Sequence, residues 1–266
     1  MVEHFSAQLT RIRQLSESTK EFRFQRTDDR LVQYDPGQFL RFTFCDNKGS
    51  FERSYSLGNF TDASESEMDL VVSAVPGGRA SEYLFGCNHG VLAQVAGPYG
   101  RLVLPKKLPK RLFLIATSTG VAPFLTMLSI LKADNVEVVL LFGVRNRSEF
   151  LYADELVTIL KDWTNCTLQL CYSRNEAQLN HFENNGYVTK VLGGFKLDPG
   201  NDRFLICGNP NMVDDCFNEL KLLGFSTREV VREKYLFASQ TGGNGQADLS
   251  DDQKRLIAEK LLKHKS

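Results

Sequence analysis

Closely paired cysteines are missing from this sequence. Its six cysteines stand at positions 45, 87, 166, 171, 207 and 216, and no two of them form a C-x-x-C pair. The usual spacing of structural zinc ligands is therefore absent, and so is the C-x4-C-x2-C run of plant-type iron–sulfur proteins. Scattered cysteines of this kind are mostly small, buried apolar side chains. We therefore expect no metal site.

Net charge and long apolar runs are also lacking. The 32 basic residues balance 32 acidic ones, which argues against broad electrostatic binding of nucleic acid. The apolar runs, such as VEVVLLFGV at 136–144, are far shorter than the roughly 20 residues that span a bilayer. The first residues, MVEHFSAQLT, have neither a basic leader nor an apolar segment, so no signal peptide is predicted. We expect a cytoplasmic protein with no membrane insertion and no nucleic-acid partner.

The first hundred residues have the pattern of short strands. Apolar and polar residues alternate between turns, and several strands at this spacing indicate an antiparallel barrel or sandwich. The predicted strands are 5–15, 19–26, 68–75, 91–104 and the part of 34–44 that follows its Pro-Gly turn. A short helix is predicted within 77–85, GGRASEYLF, with Ser81 as its cap. We assign residues 1–105 to this domain.

The pattern changes after PKKLPKRLF at 105–113, within which we place a linker over 106–111. From 112 to 237 apolar strands alternate with helical segments, which indicates a doubly wound parallel sheet with helices on both faces. Strands are predicted at 111–117, 136–144, 166–173, 202–210 and 228–237, and helices at 122–134, 149–163 and 211–224.

The last part of the chain, 238–266, has a third composition. A Gly-rich polar stretch predicts a flexible linker. It is followed by a possible capping box, Ser250 with Gln253, and then by helical spacing of apolar residues. The pattern predicts an amphipathic helix that either packs on its own protein or binds a partner.

The stretch FERSYSLGNF at 51–60 combines a cation with an aromatic ring. In a strand, Arg53 and Tyr55 project from one face and Ser56 from the other. A face that can hold a phosphate and stack on a planar ring suggests a bound nucleotide cofactor. A surface strand that happens to carry these residues remains an equal alternative at this point.

Two turns in the second half have the arrangement that binds phosphates. ATSTGVAP at 116–123 joins a strand to a helix, and Gly120 permits close approach of a ligand to the backbone. CGNP at 207–210 follows a later strand at the same edge of the sheet, which places Cys207 near the first turn. Each turn alone is also compatible with an ordinary strand–helix connection. Cys207 is also compatible with a thiol that only packs in the core.

Together these motifs resemble the ferredoxin–NADP reductase family, and its bacterial stand-alone type in particular. The family's R-x-Y-S corresponds to RSYS, its G-P-x-G turn to GPYG at 97–100, and its G-T-G-x-A-P to STGVAP. Bacterial members carry G-V-R followed by a helix with L-x-Y, and C-G-N-P-x-M; the sequence has GVRNRSEFLYADEL and CGNPNM. The five motifs occur in the family's order over residues 1 to about 237.

The resemblance implies an FAD-binding barrel followed by an NADP-binding domain. Arg53 would pair with the FAD pyrophosphate, Tyr55 would stack on the flavin ring, and Ser56 would hydrogen-bond near flavin N5. The implied catalytic residues are Ser56 and Cys207. The implied FAD-binding residues are Arg53, Tyr55, Ser56, Leu57, Gly77, Gly78, Arg79, Ala80, Ser81 and Tyr235. The implied NADP-binding residues are Thr119, Gly120, Val121, Arg145, Ser173, Arg174, Cys207, Gly208 and Met212.

The sequence departs from the family's pattern at three places. Ser118 stands where the family has glycine, which puts a Cβ where the backbone meets the pyrophosphate. Arg174 matches an arginine that holds the 2′-phosphate of NADP, but Tyr187 occupies the place of a second one. The chain also continues about thirty residues beyond the E-x-Y tripeptide, Glu233 to Tyr235, that ends plant-type members.

The resemblance implies a flavoprotein that exchanges electrons between NADP(H), by hydride transfer to and from flavin N5, and ferredoxin or flavodoxin. These carriers are acidic, and Lys106, Lys107, Lys110 and Arg111 are candidates for docking them. The alternatives are the NADH-dependent reductase component of a multicomponent oxygenase, a free-flavin reductase, and a nucleotide sensor without turnover. The missing iron–sulfur spacing counts against the oxygenase component, which usually carries a fused ferredoxin domain. The intact RSYS and GGRAS favour tightly held FAD, which counts against a free-flavin reductase.

Overall fold

The computed structural model describes residues 2–60, 65–134 and 136–235. Within these ranges the chain forms two six-stranded sheets, one after the other. The helix predicted in the tail lies outside the described residues. Among the helices that the structure describes, none is both long enough and apolar enough to cross a membrane.

The first sheet is antiparallel throughout. Its strands are β1 (Glu3–Gln14), β2 (Thr19–Arg26), β3 (Phe39–Asp46), β4 (Gly49–Ser56), β5 (Glu67–Ser73) and β6 (Leu92–Tyr99). They lie in the order β4-β3-β6-β1-β2-β5, and helix α1 (Arg79–Gly86) lies between β5 and β6 in the chain. The two edge strands approach each other where Leu57 bridges Leu70, so the sheet curls into the predicted barrel.

Alternate aromatic side chains fill the inside of this barrel. Phe22 and Phe24 on β2, and Phe42 and Phe44 on β3, are all buried, as the two-residue period of a strand requires. The rings of Phe24 and Phe42 lie 5.4 Å apart, centroid to centroid. Packing of these rings therefore supplies much of the core of the first domain.

The second sheet is parallel throughout. Its strands are β7 (Arg111–Thr117), β8 (Glu137–Val144), β9 (Cys166–Tyr172), β10 (Glu183–Asn185), β11 (Asp202–Gly208) and β12 (Val230–Lys234). Its helices are α2 (Ala122–Leu131), α3 (Ala153–Lys161), α4 (Val188–Leu192) and α5 (Pro210–Leu222), with two 3₁₀ turns at Ser118–Val121 and Arg147–Glu149.

The strand order β10-β9-β8-β7-β11-β12 reverses at β7. Helices α2 and α3 pack on one face of the sheet and α4 and α5 on the other, so the central strands are buried on both sides and consist of apolar runs. The turns after β7 and β11 leave towards opposite faces. They open the crevice at the carboxyl ends of the strands where ligands bind in such sheets. This confirms the predicted fold class; the boundaries at 105, 111 and 237 stay predictions.

Three local predictions were wrong. Gly78, not Ser81, caps α1, and the Ser81 hydroxyl donates to the carbonyls of Gly78 and Val75 at 2.9 and 3.1 Å. The strand predicted to reach residue 104 ends at Tyr99. The helix predicted from residue 149 begins only at Ala153, because Tyr152 has a left-handed backbone, with φ of 56°.

Candidate functional site

The end of β4 presents a cation and an aromatic ring, as the strand period predicts. Arg53 and Tyr55 are half-buried, whereas Ser56 is only 4% exposed. The Arg53 guanidinium donates to the Glu52 carbonyl at 2.7 Å, and the structure gives it no carboxylate partner within the described residues. The Tyr55 ring packs edge-on against Phe42 at 6.0 Å, and burial raises the pKa of its hydroxyl. The guanidinium is thus available to an anion beside an aromatic surface.

The start of α1 provides backbone donors near the same barrel. Gly77 has a φ of +72°, and no side chain caps the first turn after Gly78. The Arg79 guanidinium pairs with both oxygens of Asp46, at 2.9 and 2.7 Å, and holds the pKa of that carboxyl at about 2. It also lies over the Phe51 ring. Only the backbone of Arg79 is therefore left for a ligand, and Ala80 and Ser81 are buried behind it.

Three side chains from distant parts of the chain meet between the two sheets. Tyr235 follows β12, its backbone N–H donates to the Gly208 carbonyl at 2.9 Å, and its hydroxyl lies beside Ser56 and the Cys207 thiol. The hydroxyls of Ser56 and Tyr235 are both enclosed, yet neither makes a hydrogen bond of ordinary geometry within the described structure. Burial raises the pKa of the Cys207 thiol well above its usual value, which keeps it protonated at neutral pH.

The two predicted phosphate-binding turns touch each other. A Cβ on Gly120 would collide with the backbone of Cys207 and Gly208, so only glycine permits this approach. The Asn209 N–H donates to Thr117 Oγ1 at 2.9 Å, which links the turn after β11 to the end of β7. Thr119 and Val121 are buried in the first turn, and Leu57 is buried at the end of β4 in the core of the barrel. The structure therefore brings the flavin-side and nucleotide-side predictions to one place.

Ser118 is strained in this arrangement. Its φ is 50°, a left-handed conformation that costs most residues about 1 kcal/mol or more relative to glycine. Its side chain is exposed at the first position of the 3₁₀ turn. A serine therefore adopts a backbone conformation that favours glycine, and it adds an exposed hydroxyl to the turn.

Arg145 and Arg174 lie together at the carboxyl edge of the second sheet. They follow β8 and β9, and the Arg174 N–H donates to the Arg145 carbonyl at 2.8 Å. Both side chains are exposed, as is Ser173, and neither arginine has a carboxylate partner in the part of the chain that the structure describes. Arg147, by contrast, pairs with Glu183 at 2.8 Å. The two unpaired guanidinium groups make this edge suitable for an anion.

Two residues that the sequence prediction did not select belong to the same region. Asn209 caps α5 and accepts hydrogen bonds from the backbones of Asn211 and Met212, at 2.9 and 3.3 Å; an Asn before Pro at a helix start is a recognisable signal. Glu233 lies on β12 opposite Cys207, and burial raises its pKa to about 7. The sequence shows that Glu233 belongs to the E-x-Y tripeptide, but it does not show that the side chain is shielded from water.

Arg111, which the sequence made a docking candidate, is paired within the second domain. Its guanidinium is held by both oxygens of Asp202, at 2.9 and 2.7 Å, and it begins β7. Lys110 precedes it at the same amino edge of the sheet. Since a strand rises about 3.3 Å per residue, both lie roughly 20 Å from the edge that carries Cys207. Lys106 and Lys107 are exposed and stay candidates.

The residues present fit two dinucleotides. The enclosed hydroxyls of Ser56 and Tyr235 without partners, the uncapped start of α1 and the unpaired guanidinium of Arg53 suit FAD. The contact between the two turns and the paired arginines suit a pyridine dinucleotide at the switch point of the sheet.

Comparisons with known proteins agree with this geometry. The sequence models of the oxidoreductase FAD-binding domain and the oxidoreductase NAD-binding domain match residues 6–104 and 114–217. Ferredoxin–NADP reductase B of Sorangium cellulosum is 30% identical over 220 residues, which are 79% of this chain and 88% of that protein.

Two further similarities concern a longer protein and a solved structure. The reductase component of the naphthalene 1,2-dioxygenase system of Pseudomonas putida is 27% identical over 206 residues, 76% of this chain and 61% of that protein. A ferredoxin–NADP⁺ reductase from Neisseria gonorrhoeae, solved with FAD and NADP, has a TM-score of 0.75 at 22% identity and covers 87% of this chain and 98% of that one. The similarity to the solved structure shows that the two chains share a fold.

The fold and the two domain matches define a flavin-dependent oxidoreductase that binds FAD and a nicotinamide dinucleotide. More particularly, the chain belongs to the ferredoxin–NADP reductase family.

Proposed function

We propose that this protein is an NADPH-dependent reductase of a one-electron carrier, ferredoxin or flavodoxin. The observation that carries this choice is the pair of exposed arginines, Arg145 and Arg174, without carboxylate partners among the described residues. A guanidinium suits a phosphate, and the 2′-phosphate is what distinguishes NADPH from NADH. The sequence identity of 30% to a ferredoxin–NADP reductase, over 88% of that protein, supports ferredoxin or flavodoxin as the electron carrier.

FAD, when bound, would supply the chemistry, since it can accept one hydride, which carries two electrons, and release these electrons one at a time. The chain's own residues bind the two dinucleotides and orient them. Arg53 and the start of α1 neutralise the pyrophosphate of FAD, and Tyr55 supports the flavin ring. Ser56 donates a hydrogen bond near the reacting edge.

On the nucleotide side, the turns at 118–121 and 207–209 hold the pyrophosphate of the nicotinamide dinucleotide. Cys207 and Tyr235 fill the space beside the reacting carbon and exclude water. The Cys207 thiol stays protonated, so it acts by shape and not as a nucleophile.

A second candidate is an NADH-dependent reductase component of an oxygenase system. It is favoured by Tyr187, which is 70% exposed at the start of α4 and stands in place of the family's second arginine. The similarity to the naphthalene dioxygenase reductase component supports the oxygenase context, but the name of that protein includes both NAD and NADP. Under the leading proposal Arg174 holds the 2′-phosphate of NADPH without the family's second arginine. One charge-assisted contact of this kind is worth about 1.5–3 kcal/mol.

The test is the ratio of kcat/KM for NADPH and NADH, measured with a dye acceptor and with a purified ferredoxin or flavodoxin. We expect NADPH to be favoured about ten- to a hundredfold, because each 1.4 kcal/mol is about tenfold. Arg174→Ala should raise the KM for NADPH and leave that for NADH nearly unchanged. Arg203→Ala, at the amino edge of the same sheet, is the control. Equal kcat/KM for the two nucleotides in the unmodified protein would replace the proposal by the NADH-linked alternative.

A further inference from the structure

The two halves of the site belong to different domains, and a polar interface holds these domains together. Ser56 comes from the barrel, whereas Cys207 and Gly120 come from the parallel sheet. The interface joins the hairpin of β1 and β2, residues 11–21, to the segment 147–155 that follows β8 and Arg145.

At the rim, Glu149 accepts hydrogen bonds from two hairpin serines. Ser16 Oγ lies 2.7 Å from its carboxylate, and Ser18 Oγ lies 3.0 and 2.9 Å from the two oxygens. Arg13 forms an ion pair with Glu155 and lies over the ring of Tyr152, 5.8 Å from the ring centre. Both domains thus contribute donors and acceptors to one continuous strip.

At the centre, the Tyr152 hydroxyl donates to Glu21 across the interface at 2.7 Å. Tyr152 is 4% exposed and Glu21 is 3% exposed, so water does not replace this bond if it is lost. The other oxygen of Glu21 accepts from Arg11 at 2.9 Å. Tyr152 has a left-handed backbone, its ring packs in the core of the nucleotide domain, and its hydroxyl reaches Glu21 on the outer face of the barrel.

The interface continues to the reacting edge through β5. Arg23, on the same strand as Glu21, is held by Asp69 with two hydrogen bonds of 2.7 Å. The backbone of Asp69 binds the residues that follow Ser56: its carbonyl accepts from Gly58 at 2.8 Å and its N–H donates to Asn59 at 2.9 Å. A Cβ on Gly58 would lie 3.6 Å from that of Ala122, next to the nucleotide turn.

We propose that Tyr152 is a positioning residue, and that its hydrogen bond to Glu21 fixes the distance and angle between the flavin side and the nucleotide side of the site. Hydride transfer depends steeply on this geometry, and a displacement of about 1 Å costs roughly a hundredfold in rate. The inference requires only a reaction between FAD and a nicotinamide dinucleotide. It does not depend on whether NADPH or NADH is preferred.

The test compares two tyrosines with the same chemistry. Tyr152→Phe removes the bond between domains. Tyr172→Phe removes an equivalent bond inside the nucleotide domain, where the buried Tyr172 hydroxyl donates to Glu183 at 2.5 Å. Each variant is purified with FAD bound, and hydride transfer is followed by stopped flow at saturating concentration of whichever nucleotide reacts faster.

Hydride transfer should fall about tenfold or more in Tyr152→Phe and stay within about twofold in Tyr172→Phe. The second readout is hydrogen–deuterium exchange, which does not depend on turnover. Backbone amides of 14–21 and 147–156 should exchange at least several-fold faster in Tyr152→Phe than in Tyr172→Phe. Equal rates of hydride transfer in the two variants would overturn the proposal, and so would slow transfer with unchanged exchange at the interface.

If Tyr152→Phe does not yield folded flavoprotein, the double variant Ser16→Ala, Ser18→Ala takes its place. It removes the donors to Glu149 from the rim and leaves the buried centre intact. The same two readouts are expected to change in the same direction, by a smaller factor. Unchanged hydride transfer together with faster exchange in this variant would also overturn the proposal, because the interface would then move without affecting the site.

Discussion

At the scale of single residues, FAD binding is expected to depend on Arg53 more than on any neighbouring cation. Arg53→Ala removes a partly buried guanidinium that we propose to face the diphosphate of FAD, an interaction worth roughly 2–5 kcal/mol when one partner is truncated. The variant should elute from gel filtration with little FAD. Arg30→Ala, on the same domain, removes an exposed guanidinium that only approaches Asp28 and should keep its flavin. Stoichiometric FAD in the Arg53 variant would show that the site is assigned wrongly.

Cys207 allows a second prediction at this scale. Its thiol is fully buried beside Tyr235 and the Gly120 turn, so Cys207→Ala opens a small cavity next to the reacting groups. We expect hydride transfer to slow about tenfold, with FAD still bound, because small displacements there are costly. Cys171→Ala removes an equally buried thiol from β9, and it should lower only the thermal stability. A Cys207 variant that turns over at the normal rate would place this residue outside the reacting centre.

Single elements show what the sequence could predict and what it could not. The order of the longer strands and helices followed from local periodicity and from turn residues, but the short β10 and α4 were not predicted. The ordered motifs predicted that Ser56, Cys207 and Tyr235 belong to one site. The start of α3 did not follow, because the apolar spacing of Tyr152, Leu156 and Leu160 fits a helix that begins earlier. The Tyr152–Glu21 bond joins residues 131 positions apart, and no local pattern signals such a contact.

Strand β12 carries a prediction that depends on pH. Burial raises the pKa of Glu233 to about 7, from a reference value of 4.5. Between these values the folded protein binds a proton that the unfolded chain releases, so the free energy of unfolding should fall as the pH rises through this range. Glu233→Gln should flatten this dependence, and Glu137→Gln on the exposed end of β8 should not. Thermal unfolding of the holoprotein between pH 5 and pH 8 measures this pH dependence of the stability. Parallel curves for the Glu233 variant and the unmodified protein would contradict the burial of a titrating carboxylate.

At the scale of the whole molecule, the balance of charges limits how an acidic electron carrier can be attracted. With 32 basic and 32 acidic residues there is no overall field to steer it, so any steering must come from a local patch. Lys106 and Lys107 are exposed and have no acidic partner in the described ranges, whereas Arg111 is neutralised by Asp202. If the two lysines guide docking, reduction of ferredoxin or flavodoxin should slow as salt rises, because the Debye length shrinks from about 30 Å at 0.01 M to about 10 Å at 0.1 M.

The double variant Lys106→Gln, Lys107→Gln separates steering from chemistry. It should reduce the second-order rate with the protein carrier at low salt by several-fold and should weaken the salt dependence. Reduction of a small neutral dye should be unaffected, because a dye is not steered. Lys110→Gln, Lys196→Gln makes the same change of charge near the amino edge of the second sheet, far from Cys207, and should leave both rates as they are. A rate with the protein carrier that stays flat between low and physiological ionic strength would remove these lysines from the docking surface.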